Sequence, residues 1–308
     1  MRVNILLSTF NGELYLEELL RSLDKQTYRH IKVFIRDDGS TDNTCGILKE
    51  YVQSNNNVEV IFGENIGVIK SFYSLLKQND FYGELYAFCD QDDIWLPNKI
   101  ERAVSILKKN SQENTLYCAG LEYVTNELAY IKRSRMPFWI GFENAIIENV
   151  ATGCTLVFDY SLRGKFLEAS PSSMLMHDWW MYMLASTSGH IVFDEYYGIL
   201  YRQHNSSVTP IEKDKSNLMN KVRDIIYLLK HRKFIGSLNW LGQAEKFINT
   251  YSSFIENELL VKNLRNLIKK KPLLERIKFF FKPTVHSNYK YKDYVFRVKI
   301  LFGVGFRG

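Results

Sequence analysis

The chain has 308 residues and 46% hydrophobic content, room for one large packed domain or a domain with an appendage. No stretch approaches the roughly 20 apolar residues needed to cross a bilayer, and Met1-Arg2-Val3-Asn4 leads into a core strand rather than a signal peptide. The net charge of +6 hides an asymmetry: residues 1–210 carry 19 Lys and Arg against 26 Asp and Glu, while residues 211–308 carry 21 against 8. A chain divided this way is expected to pair a catalytic or binding body with a basic portion that meets something anionic.

The first half alternates strands and helices. Arg2–Ser8 reads as a buried strand and Glu13–Gln26 as a helix, with Leu16, Leu19, Leu20 and Leu23 at helical spacing. Strand Ile31–Arg36 is followed by helix Asp42–Gln53, opened by the capping-type run Ser40-Thr41. Strand Val58–Phe62, helix Val68–Asn79 and strand Leu85–Cys89 complete a βαβαβαβ order, which implies a parallel, doubly wound sheet. A helix is expected over Leu96–Lys109, opened by Pro97. Beyond residue 115 the pattern mixes: strands at Leu116–Ala119, Cys154–Phe158, Ile191–Phe193 and Tyr196–Tyr201, and a helix at Asp178–Ser188. After Thr209-Pro210 come helical stretches Asn217–Arg232, Leu238–Asn249 and Phe254–Lys270. The four cysteines (Cys45, Cys89, Cys118, Cys154) form no CxxC pair and read as reduced, buried thiols of a cytoplasmic protein.

In doubly wound sheets ligands bind beyond the carboxyl ends of the strands. Three polar loops fall there: Thr9-Phe10-Asn11-Gly12, Asp37-Asp38-Gly39-Ser40-Thr41-Asp42 and the tetrad Asp90-Gln91-Asp92-Asp93. Asp90 and Asp92 point the same way. With no basic residue among them, they repel unless a cation or hydrogen-bond donors intervene. Hard oxygen ligands suit Mg²⁺ or Mn²⁺, which bridge to a substrate's phosphates. Each loop taken singly is also explained as an Asx or Ser-capped turn; their shared rim argues for a site.

The chain resembles glycosyltransferase family 2, the inverting GT-A enzymes that take a sugar from a nucleotide donor. The resemblance rests on the three loops and on Asn65-Ile66-Gly67, Thr152-Gly153-Cys154, His177-Asp178-Trp179-Trp180 and Tyr201-Arg202-Gln203-His204, in order over residues 1–210. The variants at the tetrad, at His177–Trp180 and at Tyr201–His204 are most similar to the rhamnosyltransferase branch, which builds bacterial surface polysaccharides from dTDP-L-rhamnose. The resemblance implies an α/β fold of the GT-A type, a mixed, mostly parallel sheet flanked by helices, over 1–210; the helical pattern and charge of 211–308 are read as a helical, basic C-terminal extension.

The resemblance also implies roles. Asp38 would accept from the pyrimidine N–H with the Thr9 backbone nearby, Asn11 and Asn65 would shape the nucleotide side, and Asp90 would hold the sugar of the nucleoside. Asp92 would bind a divalent cation, Mg²⁺ or Mn²⁺, with His204 as a further metal or phosphate ligand and Arg202 assisting at the diphosphate. Asp178 would be the general base, with Trp179 and Trp180 offering flat faces to the acceptor sugar. The bland alternatives are a helix cap for Asp178, a surface histidine, and core tryptophans.

The implied partners are a dTDP- or UDP-linked donor and a lipid-linked saccharide acceptor, met by a peripheral protein at the inner face of the cell membrane. The QxxRW motif of processive members is absent. Lys269–Lys282 and Tyr289–Arg307 mix cations with aromatics, which suits an anionic membrane surface better than nucleic acid; packing as a helical cap is the alternative. The rival functions are a UDP-hexose transferase of the same fold, a sugar nucleotidyltransferase, for which the first loop is too short and Gly-poor, and a non-catalytic nucleotide-sugar-binding subunit.

Overall fold

A computed structural model describes residues 1–78, 83–110, 112–204, 240–252, 262 and 272–302. Strands β1 (Val3–Thr9), β2 (Ile31–Asp37), β3 (Val58–Phe62) and β4 (Leu85–Asp90) alternate with helices α1 (Leu16–Asp24), α2 (Thr44–Ser54) and α3 (Val68–Lys77). Then follow β5 (Ile94–Trp95), α4 (Lys99–Lys109), β6 (Thr115–Val124), β7 (Tyr130–Arg133), α5 (Phe142–Ala145), β8 (Val157–Asp159), α6 (Tyr160–Leu167), α7 (His177–Ser188) and β9 (His190–Arg202). One nine-stranded sheet runs β3-β2-β1-β4-β8-β6-β9-β5, with β7 on β6.

Strands β1, β2 and β4 are near-continuous apolar runs because both faces of the sheet are covered there, while the edge strand β3 leaves Glu59 and Phe62 exposed. Alternate side chains go to opposite sides. Leu6, Phe34, Tyr86 and Phe88 join a core with α3, α6 and α7, while Ile5, Leu7, Val33, Ile35, Ala87 and Cys89 pack on the leucine stripe of α1 and on α4. Burying a ring such as Phe88 contributes about 1.5–3 kcal/mol. The chain reverses direction of growth at β1, which pairs in parallel with β2 on one side and β4 on the other. The register sets Thr9 opposite Asp37 and Ser8 opposite Asp90, so the three polar loops meet at one crevice.

Past β4 the sheet is not simply parallel: β8 pairs antiparallel with β4 and β6, and β5 antiparallel with β9. The stretches expected as two strands, Ile191–Phe193 and Tyr196–Tyr201, form the single β9, whose register against β6 slips at Ala119/Gly120 and Gly120/Glu122. Helix α4 begins at Lys99 and not at Leu96, because Leu96 N donates to Gly198 O and Pro97 O accepts from Thr27 N. Ser40-Thr41 is not the cap of α2. Ser40 Oγ donates to Asp37 Oδ1, the N-cap is Asn43, and Asp42 Oδ1 accepts from Thr44 N.

Asn217–Arg232 and nearly all of Phe254–Lys270 lie outside the described residues. Leu238–Asn249 corresponds to a helix over Trp240–Tyr251, whose Phe247 and Tyr251 pack on Trp180. Helices Leu273–Phe281 and Lys290–Phe302 are packed together, with Phe279 and Phe296 edge-to-face at 5.9 Å. Both contribute to the same core as α5 and α7, and the buried Glu148 accepts from Ser287 Oγ and Asn288 N. Among the described residues no helix is long and apolar enough to cross a membrane. Cys89, Cys118 and Cys154 are buried and Cys45 half-buried, all as free thiols.

Candidate active site

The loop after β1 turns through Asn11, which takes the left-handed conformation at φ 48°. Its Oδ1 accepts from Thr41 N at 2.8 Å, and its own N–H donates to Ser40 Oγ. Thr9 is fully buried; its hydroxyl donates to Asp37 Oδ1 and its carbonyl accepts from Asp38 N at 2.8 Å. Asp37 is thus spent on the turn, accepting also from the N–H groups of Gly39 and Ser40.

Asp38 is 2% exposed and paired with Arg36. Its Oδ1 also accepts from Ile66 N and its Oδ2 from Gly67 N at 2.8 Å. The carboxylate therefore clamps the Asn65-Ile66-Gly67 loop onto β2, and acceptor capacity remains only on Oδ2. Asn65 itself is exposed at the rim. Gly39 permits the close approach: at φ 81° it brings its backbone against Asn65 N, where a Cβ would stand 3.0 Å away.

The tetrad divides into three environments. Gln91 grips the first loop with both ends of its amide, accepting from Phe10 N at 2.8 Å and donating to Phe10 O at 3.0 Å. Contrary to the expectation from strand alternation, Asp92 does not point the same way as Asp90, because β4 ends at Asp90 and the chain turns; it faces outward, its Oδ2 2.7 Å from His204 Nε2. Asp90 and the fully buried Asp93 face inward, where their oxygens and the Cys154 thiol lie within 4.8 Å of one another. Burial first, then Asp92 and Asp178, pushes Asp90 up to about 8. Burial and the neighbouring carboxylates push Asp93 up as well.

Lys99 lies beneath this cluster, its Nζ 3.4 Å from the centre of the Trp95 ring; burial lowers it to about 7, against the pull of nearby Asp93 and Asp90. Burial also raises the Cys154 thiol, which keeps it protonated and a poor ligand for a hard cation. The pair that fits an oxygen-preferring divalent ion is instead Asp92 and His204. It opens onto a cavity of about 240 Å³ lined by Asn11, Leu14, Tyr15, Gln91, Asp92, Asn126 and His204. Tyr15 stacks on the His204 ring at 5.3 Å.

Arg202 is 3% exposed and committed within the protein. Its Nε donates to Asp92 O at 3.0 Å, its other nitrogens reach Asn126 O and Glu18, and it lies over the Tyr15 ring. The expectation of an arginine assisting at a diphosphate meets a guanidinium occupied in holding the tetrad loop.

Asp178 is the second residue of α7, where the helix dipole favours a carboxylate, while the N-cap is Met176. Its Oδ1 accepts from Trp179 N and its Oδ2 from Gly153 N at 3.1 Å, with Asn149 a further partner. Burial nonetheless raises it to about 6. Gly153 precedes Cys154, so the Thr152-Gly153-Cys154 turn ties Asp178 to the inner carboxylates. Asp178 does not line the cavity at Asp92.

The flanking aromatics are core. Trp180 is fully buried on Phe247 and Tyr251, and Trp179 is 6% exposed with its Nε1 donating to Ala145 O. Neither presents a face to a sugar, because the helix Trp240–Tyr251 and α5 cover them. His177 stacks on Phe72 at 4.2 Å, and burial holds it neutral, lowered to about 3. Asn126, Tyr15 and Lys99 escaped the sequence reading, and Gln91 was seen only as part of the tetrad, without a role. Asn126 alone had a local signal, in the Thr125-Asn126-Glu127 turn between β6 and β7.

Residues 4–183, more than half of the chain, match the family described as glycosyl transferase family 2. The dTDP-rhamnosyl transferase RfbG of Shigella flexneri is 29% identical over 86% of this chain and 95% of its own length. UDP-Glc:alpha-D-GlcNAc-diphosphoundecaprenol beta-1,3-glucosyltransferase WfgD of Escherichia coli is 30% identical over 53% of this chain and 62% of its own length. The structure of S. aureus TarS 1-349 in complex with UDP-GlcNAc superposes with a TM-score of 0.56 at 17% identity, covering 98% of this chain and 91% of that one. The mixed sheet flanked by helices is the GT-A arrangement.

Proposed function

The chain belongs to glycosyl transferase family 2, and we propose that it moves L-rhamnose from dTDP-L-rhamnose, with inversion and with a divalent cation, onto a lipid-linked saccharide at the inner face of the cell membrane. The observation that carries this reading is a buried carboxylate, Asp178, raised to about 6 and set beside an acidic rim whose outer member, Asp92, is paired with His204. A carboxylate so poised is ionised at neutral pH yet basic enough to take a proton.

In the proposed reaction Asp178 accepts the proton of the attacking acceptor hydroxyl as the new bond to the sugar's anomeric carbon forms. The bond from that carbon to the diphosphate breaks on the opposite face, and its electron pair leaves with the nucleoside diphosphate. Asp92 and His204 would hold Mg²⁺ or Mn²⁺, which when bound neutralises charge on the departing diphosphate. Thr9, Asn11, Asp38 and Asn65 would shape the nucleotide side, Asp38 offering Oδ2 to a pyrimidine N–H, and Asp90, at the carboxyl end of β4, would hold the nucleoside sugar. Arg202 positions Asp92. Residues 1–210 would perform the transfer and 211–308 the approach to the acceptor.

The name of the Shigella relative supports the donor, and that of the E. coli relative supports a lipid diphosphate acceptor. The same E. coli name, and the UDP-GlcNAc complex of TarS, favour a second reading with a UDP-hexose donor. The two are separated by donor hydrolysis with Mn²⁺ or with EDTA over dTDP-rhamnose, UDP-glucose, UDP-galactose and UDP-N-acetylglucosamine. Metal-dependent release of dTDP alone is the expected result; release of UDP alone contradicts the rhamnosyl reading.

A further inference from the structure

We propose that the chain seats on an anionic membrane through two apolar features: the loop Phe138-Trp139-Ile140, which is held by Asn288 in the connector between the helices Leu273–Phe281 and Lys290–Phe302, and the outer face of the first of those helices. Phe138 is 84% exposed, Trp139 50% and Ile140 41%, three large apolar side chains in a row. The loop is fixed rather than trailing. The N–H groups of Phe138 and Trp139 donate to Asn288 Oδ1 at 2.6 and 2.7 Å, and Asn288 Nδ2 donates back to Trp139 O. Trp139 also stacks on His286 at 5.5 Å.

The helix is amphipathic in the opposite sense to a helix on a water-soluble core. Leu274 is 81% exposed and Phe281 74%, and Leu273 and Ile277 complete a stripe at positions one and four apart. The other side is pinned, with Phe279 packed on Phe296 and Arg276 Nη1 donating to Leu301 O. Scattered exposed apolar residues need no explanation, but two such groups on one linked assembly mark a binding surface.

Charge selects the occupant. Lys278 on the same helix and Lys282 at its C-cap are exposed, and Lys132, Arg133 and Arg135 precede the loop. Residues 272–302 carry seven Lys and Arg against two acidic residues. A second copy of this chain would bring like charge to like charge, whereas aromatic and aliphatic side chains among cations suit an interface of anionic headgroups.

The placement also serves the acceptor. The loop runs directly into Gly141 and α5; Trp179 Nε1 donates to Ala145 O, and Asn149 bonds to Asp178. A saccharide displayed just above a bilayer would thus arrive on the side of the proposed base. This purpose rests on the transferase reading, but the test below does not.

The full chain is sedimented with vesicles of phosphatidylcholine alone and of phosphatidylcholine with phosphatidylglycerol. The wild type is expected to pellet only with the anionic vesicles, less so in high salt. A Phe138→Ser/Trp139→Ser pair and a Leu274→Glu/Phe281→Glu pair should each weaken partitioning about tenfold or more, with melting temperature and lipid-free donor hydrolysis unchanged. Absence of wild-type binding to anionic vesicles overturns the proposal, as do both variant pairs partitioning like wild type. Variants that change only the oligomeric state, measured by sedimentation velocity, would make the face a contact between copies and overturn it too. Donor hydrolysis without lipid reports separately on the transferase reading.

Discussion

The Nε of Arg202 donates to the carbonyl oxygen of Asp92 at 3.0 Å, tying the last strand of the sheet to the loop that carries the outward-facing carboxylate. The same guanidinium is held by Asn126 O and Glu18, so Asp92 is positioned by a three-point brace. Lysine cannot reproduce that fork. Arg202→Lys is expected to weaken activation by Mn²⁺ about 10–100-fold, the range for groups that orient metal ligands. Titrating turnover with Mn²⁺ checks this, and an unchanged activation curve would show that Asp92 needs no brace.

Asp178 is expected to set a pH dependence in stability and, as the proposed base, in activity. Its folded pKa of about 6 lies above the ordinary 3.8 because burial disfavours the charged form. Its stabilising contribution is therefore complete below pH 3.8 and lost as pH rises through about 6; the shift corresponds to about 3 kcal/mol. In EDTA, the melting temperature of wild type should fall between pH 4 and pH 8 by more than that of Asp178→Asn, whose amide does not titrate. The kcat/KM of the wild type should fall with protonation below about pH 6. A flat profile from pH 5 to 8 would remove Asp178 from the rate equation.

His177 has neither ring nitrogen hydrogen-bonded among the described residues, and it sits against Phe72 and Phe88. An unsatisfied buried polar group costs about 1–3 kcal/mol. His177→Phe should therefore keep or raise the melting temperature while leaving nucleotide affinity intact. A variant that melts well below wild type would reveal a partner for the imidazole.

Gly39 adopts φ 81° with Asn65 N in the space of a side chain. Gly39→Ala should cost about 1–2 kcal/mol for the left-handed backbone alone, and should raise the donor KM by displacing the loop that Asp38 clamps. Urea unfolding and donor titration check the two effects. Wild-type values in both would mean that the loop does not contact the nucleotide.

The sequence was most legible where one pattern dominates. The apolar runs of β1, β2 and β4 and the leucine spacing of α1 survive almost residue for residue, since burial on both sheet faces leaves little ambiguity. It was least legible where structure is short or tertiary. Ile94–Trp95 forms a strand only because β9 lies beside it, and β7 is four exposed residues long. The polar rim was visible in Asp38, Asp90, Asp92 and His204, but their division of labour was not. That Asp38 is closed by Arg36, that Arg202 braces a carbonyl, and that Trp179 and Trp180 are core all depend on residues far away in sequence.

The central claim is that Asp178 takes the proton of the acceptor. It is tested by comparing sugar transfer from dTDP-rhamnose by wild type and Asp178→Asn, with dTDP binding to both followed by calorimetry. Transfer reduced about 10²–10⁴-fold, with dTDP bound as tightly as by wild type, is the predicted result. Transfer at the wild-type rate by a variant that binds dTDP normally would contradict it.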